Sequence, residues 1–200
     1  MSGDYCDLIP GNRDQVYFLI GDVAGKGVAA AMLMSHLSAM LRTLVTVDLP
    51  LSQLMERASR VFCEHTLPMH YATLVCGRAS SSGEIEVCNA GHPPPLLVRA
   101  GEITHIEATG LPIGMFCSES FTSRTVRLAP GDTLLFYTDG LLEAQDATDA
   151  QYGIERLSAL AASANRRPKA MVDACLRDLA AFRGAAGSND DLTILAVSRL

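Results

Sequence analysis

Two short apolar runs in this chain of 200 residues end directly at an aspartate. Residues 15–20 run into Gly21-Asp22, and residues 133–137 run into Thr138-Asp139. Aliphatic and aromatic residues in such short runs are typical of strands, and the glycine beside each aspartate marks a tight turn. The sequence therefore predicts a sheet in which at least two strands deliver a carboxylate at their end.

Four more aspartates lie in short motifs near the two ends of the chain. Asp4 and Asp7 belong to Ser-Gly-Asp-Tyr-Cys-Asp, and Asp190 and Asp191 belong to Asn-Asp-Asp-Leu-Thr. Segments so far apart meet only through folding, and a cluster of anions repels itself unless cations fill it. Aspartate oxygens with few histidines nearby suit Mg²⁺ or Mn²⁺ better than zinc. One aspartate beside glycine is more often a turn residue, so the joint occurrence carries the inference of a binuclear metal enzyme.

Composition limits the class of protein. With 48% hydrophobic and 19% charged residues, the chain suits one well-cored domain over 1–200. A net charge of -6 without a Lys/Arg-rich run argues against a nucleic-acid partner. The apolar stretch 28–47 is interrupted by His36 and Arg42, so we expect a buried helix and no membrane span. Six cysteines without paired spacing predict reduced, mostly buried thiols in a cytoplasmic protein.

The order of elements predicts an α+β fold. Helices are expected over 28–45, 51–65, 154–163 and 168–182, and strands over 15–20, 71–78, 84–89, 96–99, 102–107, 121–128, 133–137 and 192–197. The strands follow one another along the chain, and the helices are grouped in separate stretches. This order favours two packed antiparallel sheets with helices on their outer faces.

Three other catalytic motifs are absent from the sequence. The segment from Gly21 to Lys26 has only three residues between its glycines and a glycine after the lysine, so it is no phosphate-binding P-loop. No cysteine has an arginine six positions later, as a cysteine phosphatase requires. A Gly-x-Ser-x-Gly elbow for a serine hydrolase is missing as well.

Seven motifs, in order, resemble the stage II sporulation protein E and sigma-regulator phosphatase branch of the PPM (PP2C-like) family. They are Ser-Gly-Asp-Tyr-Cys-Asp, Gly-Asp-Val-Ala-Gly-Lys-Gly-Val-Ala-Ala, Tyr-Ala-Thr-Leu, Asn-Ala-Gly-His-Pro-Pro-Pro, Gly-Leu-Pro-Ile-Gly, Tyr-Thr-Asp-Gly-Leu-Leu-Glu-Ala and Asp-Asp-Leu-Thr. The resemblance implies a four-layer α-β-β-α sandwich. It also implies Mg²⁺- or Mn²⁺-dependent dephosphorylation of serine or threonine on a protein partner, usually an anti-sigma-factor antagonist.

The resemblance assigns ligands for two ions. Asp22 resembles the carboxylate that bridges them, and the Val23 carbonyl resembles a further ligand. Asp139 and Asp190 resemble the remaining carboxylates. Asp22, Asp139 and Asp190 would thus act in catalysis through water that the metals activate.

Assignments at the two ends of the chain are less direct. Asp4 resembles an outer metal ligand, and Asp7 is a weaker candidate. Asp190 is preferred to Asp191 because it lies three residues before the hydroxyl of Thr193, although both stay in the predicted ligand set.

Family members carry a strand or two before the opening motif, so the resemblance predicts a domain that is truncated and lacks an N-terminal strand. A fragment, an excised domain and a misplaced start codon all fit that departure.

Other features leave alternatives open. His92 suits either a general acid or a hydrogen-bonded turn histidine, and Lys26 either a phosphate contact or a solvated helix-entry residue. A catalytically silent interaction module of the same fold, binding a regulatory protein, is the alternative function. Helix 28–45 offers a homodimer surface, although a core helix is the favoured reading, and related chains often carry an upstream regulatory domain.

Overall fold

A computed structural model of the protein describes residues 3–12, 14–164, 167–184 and 190–199. Ser2 and Asn189, which belong to the opening and closing motifs, lie outside the described residues. The chain forms two compact units, a first unit of residues 1–92 and 107–127 and a second unit of residues 93–106 and 128–200. The assignment of residues 1–200 to a single domain stays a prediction.

Nine strands and five helices make up the described regular structure. In chain order they are β1 (Asp4–Pro10), β2 (Val16–Val23), α1 (Val28–Val45), α2 (Leu51–His65), β3 (Ala72–Ala79), β4 (Glu84–Ala90), β5 (Leu96–Arg99), β6 (Glu102–His105), β7 (Arg124–Arg127), β8 (Thr133–Tyr137), α3 (Asp139–Leu142), α4 (Ile154–Ser163), α5 (Pro168–Arg183) and β9 (Ile194–Ser198).

The first unit holds a five-stranded antiparallel sheet in the order β1-β2-β3-β4-β7. Alternate residues of β2, such as Tyr17 and Leu19, point toward one face and join a core with α1 and α2. Phe62 of α2 is fully buried in this core. Every second strand residue thus points to the face of the sheet on which the apolar side of each helix packs.

α1 buries one face only, which corrects the expectation of a mostly buried helix. Five of its 18 residues are buried, at the three- and four-residue spacing of one helical stripe, while Met32 on the outer side is 69% exposed. The expectation overestimated burial because alanine and methionine are apolar enough for a core yet tolerated at a surface. Among the described residues, α1 alone is long and apolar enough to cross a membrane, a test that the core helix of a soluble protein also passes.

The second unit holds a four-stranded antiparallel sheet in the order β6-β5-β8-β9. Leu135 and Tyr137 of β8 point to the face that carries α4 and α5, where Leu157 and Met171 are fully buried. Pro168 occupies the first turn of α5, as predicted. Together the two sheets and their helices confirm the predicted α+β class with two antiparallel sheets.

Two elements were missing from the sequence prediction. β1 was read only as a motif, because Asp4, Cys6 and Asp7 dilute its apolar pattern. α3 is a single helical turn that starts at Asp139, directly after β8. In the described residues β1 pairs on one side, with β2, so the predicted absence of a strand beyond it stays a prediction.

The expectation of six reduced cysteines is wrong for one pair. Cys63 of α2 and Cys117 form a disulfide, with their Cα atoms 5.3 Å apart. Cys76, Cys88 and Cys175 are free and buried, as expected. A separation of 54 residues concealed the pair, because their contact depends on a loop that folds back over the end of α2.

Candidate metal centre

Asp4 and Asp22 lie directly opposite each other on neighbouring antiparallel strands. They are register partners in the pairing of β1 with β2, so both side chains leave the same face of the sheet. Both residues are half-buried. Like charges placed opposite each other destabilise a sheet, so a cation between them would relieve the repulsion.

A glycine packs closely against this carboxylate pair. A Cβ atom on Gly3 would come 2.6 Å from Oδ1 of Asp22 and 3.2 Å from the Val23 carbonyl oxygen. The Val23 amide donates to the Gly3 carbonyl at 3.2 Å, which fixes this close approach. Only glycine therefore fits at position 3 without displacing the Asp22 carboxylate.

Asp7 serves a different purpose from Asp4. It is three residues further along β1 and so leaves the opposite face of the strand. There its carboxylate accepts hydrogen bonds from Arg42 of α1 at 2.6 Å and from the Tyr5 hydroxyl at 2.9 Å. Asp7 ties β1 to α1 and is not brought together with Asp22.

A polar network lies on β3, next to Asp22 on the side away from Asp4. Thr73 is the register partner of Asp22 on that strand, and its hydroxyl lies 2.9 Å from Nδ1 of His92. The His92 amide donates to Oδ1 of Asn89 at 2.9 Å, and the Asn89 side chain donates to the His92 carbonyl at 3.1 Å. His92 is only 3% exposed, which confirms the reading of a hydrogen-bonded turn histidine.

A cleft of about 300 Å³ opens beside the end of β2. Ala24, Gly25 and Lys26 line it directly after the Asp22-Val23 segment, and His70 and Tyr71 line it from the segment before β3. Gly25 adopts a positive φ of 112°, which lets the chain turn from β2 toward α1. The cleft thus lies in the first unit, next to one pair of candidate ligands.

Hydrogen bonds tie the two acidic motifs of the second unit together. The Thr138 amide donates to the Thr193 carbonyl at 3.1 Å, and the Thr193 amide donates to the Thr138 hydroxyl at 3.0 Å. Asp139 is thereby held at the first position of α3.

Gly140 brings the backbone of Asp191 close to Asp139. A Cβ atom on Gly140 would overlap the Asp191 carbonyl oxygen and would come 3.6 Å from Cβ of Asp190. Asp190 and Asp191 are exposed, and Oδ1 of Asp190 accepts the Asp191 amide at 3.0 Å. The second unit therefore places Asp139, Asp190 and Asp191 next to one another.

The donors of both units fit a hard divalent cation. Carboxylate and carbonyl oxygens are the ligands that Mg²⁺ and Mn²⁺ prefer, and Asp22 and Val23 offer both kinds at the end of β2. Within the described parts of the chain, no group of three or more His, Cys, Asp or Glu side chains is already positioned to hold a metal. Within each unit the candidate ligands lie next to one another. Asp22 belongs to the first unit and Asp139 to the second.

Comparison with known families decides which kind of protein carries these motifs. A family model described as stage II sporulation protein E (SpoIIE) matches residues 12–200. The chain belongs to the SpoIIE family. The motifs around Asp22, Asp139 and Asp190 lie within the matched residues.

Individual relatives support this SpoIIE assignment. Protein IcfG of Synechocystis sp. is 27% identical over 228 residues, which cover 100% of this chain and 36% of IcfG. Phosphoserine phosphatase RsbU of Bacillus subtilis is 25% identical over 208 residues, which cover 100% of this chain and 60% of RsbU. The chain thus spans only part of the length of these curated relatives.

A solved structure shares the SpoIIE-type fold. The SiaA-PP2C domain of Pseudomonas aeruginosa matches with a TM-score of 0.87 at 19% identity, covering 100% of this chain and 80% of that chain. Likeness at this identity shows the fold alone. The residues that sequence reasoning missed in this SpoIIE domain are Gly3 and Thr73, whose only signal was membership of the first and third motifs.

Proposed function

We propose that the chain is a Mg²⁺- or Mn²⁺-dependent protein phosphatase that hydrolyses phosphoserine or phosphothreonine on a regulatory protein. The observation that carries the proposal is the register pairing of Asp4 with Asp22, next to the close approach of Gly3 to the Asp22 carboxylate. Two carboxylates in directly opposed positions repel each other, and a divalent cation bound between them would relieve that repulsion. Membership of the SpoIIE family supplies the reaction class.

The proposed ligands come from both units. Asp4, Asp22 and the Val23 carbonyl are the candidates in the first unit. Asp139 and Asp190 are the candidates in the second unit, with Asp191 as the alternative to Asp190. The chemistry that two such ions supply when bound is neutralisation of phosphoryl charge and activation of water for in-line attack.

Neighbouring residues of the first unit would orient the site and the substrate. Thr73 and His92 hold the end of β3 beside Asp22 and so act as positioning residues. Burial keeps His92 from contacting substrate, so we do not assign it the role of general acid. Lys26 at the cleft supplies positive charge that favours a phosphoryl group.

The finer identity of the substrate rests on the family resemblance. We propose an anti-sigma-factor antagonist, phosphorylated on serine or threonine, as the protein partner, and the cytoplasm as the place of action. A homodimer through the outer side of α1 and an upstream regulatory domain in a longer protein belong to the same proposal. Exposed Val28 and Met32 on α1 are the observation that favours a contact surface there.

Hydrolysis of p-nitrophenyl phosphate tests the proposed activity. We expect turnover that requires added Mn²⁺ or Mg²⁺, and loss of more than about 100-fold in Asp22→Ala and Asp139→Asn. Asp173→Asn is the matched control, because Asp173 forms an exposed ion pair with Lys169 on the surface of α5. Absence of metal-dependent turnover in wild type, or full activity in both variants, would contradict the proposal and favour the silent interaction module.

A further inference from the structure

The Cys63–Cys117 disulfide lies at the surface of the first unit. Cys63 is half-buried on the last turns of α2, and Cys117 is exposed in the irregular segment between β6 and β7. An exposed disulfide is open to attack by thiols from solution. In the reducing cytoplasm such bonds are usually transient or redox-sensing, not structural.

Segment 115–120, the exposed tip that contains Cys117, is fixed at both ends by other contacts. Before it, Ile113 exchanges two backbone hydrogen bonds with Ala72, at 2.8 and 2.9 Å, and the Gly114 amide donates to the Ser59 hydroxyl at 3.1 Å. After it, Phe121 is buried, at 3% exposure. The disulfide is therefore the covalent link that holds the middle of the tip against α2.

Apolar side chains lie on this tip. Phe116 is 55% exposed and Met115 is 36% exposed. Hydrogen bonds hold the tip only to itself and to the segment before it: the Glu119 amide donates to the Phe116 carbonyl, and the Leu111 amide donates to the Glu119 carboxylate, both at 3.3 Å, among the described residues. Removal of the disulfide would free the tip while Ile113 and Phe121 keep its ends in place.

We propose that Cys63 and Cys117 form a reversible redox modification site, which exchanges with low-molecular-weight thiols and whose oxidised state pins segment 115–120 onto α2. The other cysteines do not compete for this role. Burial raises the pKa of Cys88 and of Cys175 to about 11, which keeps both as unreactive thiols at neutral pH.

The exchange balances as a two-electron reaction with a thiol as reductant. A thiolate attacks the sulfur of Cys117, an exposed residue, which forms a mixed disulfide and releases Cys63 as a thiolate that takes up a proton. A second thiolate attacks the mixed disulfide, releasing Cys117 as a thiolate that is protonated and leaving the small-molecule disulfide. In sum, one protein disulfide and two thiols give two protein thiols and one small disulfide, and oxidation runs the same steps in reverse.

Glutathione buffers of varied reduced-to-oxidised ratio test the site on the purified chain. After alkylation of free thiols, mass spectrometry should find the Cys63–Cys117 linked peptide in a fraction that follows the ratio. In Cys63→Ser under oxidised glutathione, the mixed disulfide should accumulate on Cys117, because the resolving thiol is missing. Cys6→Ser is the control, since Cys6 is an exposed free cysteine, and should leave the link unchanged.

Chymotrypsin cleavage at Phe116 reads out the conformational effect independently of any phosphatase activity. The reduced wild-type chain should be cut about tenfold faster than the oxidised chain, the change expected when local opening becomes easier. Cys117→Ser should be cut at the reduced rate in every buffer. Two results would overturn the proposal: no linked peptide at any glutathione ratio, or equal cleavage rates of the linked and the reduced wild-type chain. Both results come from the wild-type chain, so they do not depend on whether a variant folds.

Discussion

The side chains of Asp4 and Asp22 leave the same face of the first sheet from directly opposed positions on β1 and β2. Asp7, only three residues further along β1, faces the other way and pairs with Arg42. One strand thus presents one carboxylate toward the candidate centre and another toward a helix. The contrast gives matched variants that separate metal binding from simple loss of negative charge.

Replacement of Gly3 by alanine should weaken metal binding with little loss of stability. The new Cβ would lie 2.6 Å from Oδ1 of Asp22, so the carboxylate must move away. We expect the dissociation constant for Mn²⁺ to rise at least about tenfold, which is 1.4 kcal/mol of binding free energy. Isothermal titration calorimetry measures the change, and an unaltered Mn²⁺ affinity in a folded Gly3→Ala chain would show that the close approach of Gly3 to Asp22 does not matter for metal binding.

Thr73→Val should destabilise the first unit because it removes the hydroxyl partner of Nδ1 of buried His92. Loss of a hydrogen bond to a buried polar group costs roughly 1–3 kcal/mol of unfolding free energy. Thr73→Ser retains the hydroxyl and should keep most of that stability. Urea unfolding compares the three chains, and equal stability of the valine and wild-type chains would refute the role assigned to this contact.

Acid should weaken the contact between α4 and α5 through Asp178. Hydrogen bonds from the Arg156 guanidinium, at 2.7 and 2.9 Å, lower the pKa of the Asp178 carboxyl, and the Tyr152 hydroxyl donates a further one at 2.6 Å. The pKa is lower in the folded than in the unfolded chain. The stabilisation is therefore complete above the unfolded pKa of about 4 and is lost as the pH falls through the folded value.

Asp178→Asn should accordingly cost about 1 kcal/mol of unfolding free energy at pH 7, the upper range for a partly exposed ion pair. The gap between wild type and Asp178→Asn should narrow as the pH falls below about 4, because wild type then loses the charge as well. Urea unfolding at several pH values measures the gap. A gap that stays constant or widens in acid would contradict this assignment.

Much of the fold could be predicted because its strands carry clear apolar runs. The sequence predicted β8 with its bounds and placed Asp139 just after it. β1 was missed because Asp4, Cys6 and Asp7 interrupt its pattern, and tertiary pairing with β2 decides its conformation instead. Local pattern carries no information about pairing partners.

Contacts between distant residues could not be predicted in the same way. The Cys63–Cys117 bond joins a helix to a loop, and the closeness of Gly3 to Asp22 follows from the β1–β2 register. Both depend on how segments meet in space. The aspartate motifs were nevertheless recognisable, because each combines an unusual residue type with a turn signal.

The number of Mn²⁺ ions bound per chain tests the central claim most directly. Equilibrium dialysis followed by elemental analysis would compare wild type with Asp22→Asn, Asp139→Asn and the matched Asp7→Asn. We predict about two ions for wild type and for Asp7→Asn, as a binuclear site requires, and fewer for the other two variants. No bound Mn²⁺ in wild type, or undiminished binding in both Asp22→Asn and Asp139→Asn, would contradict the account.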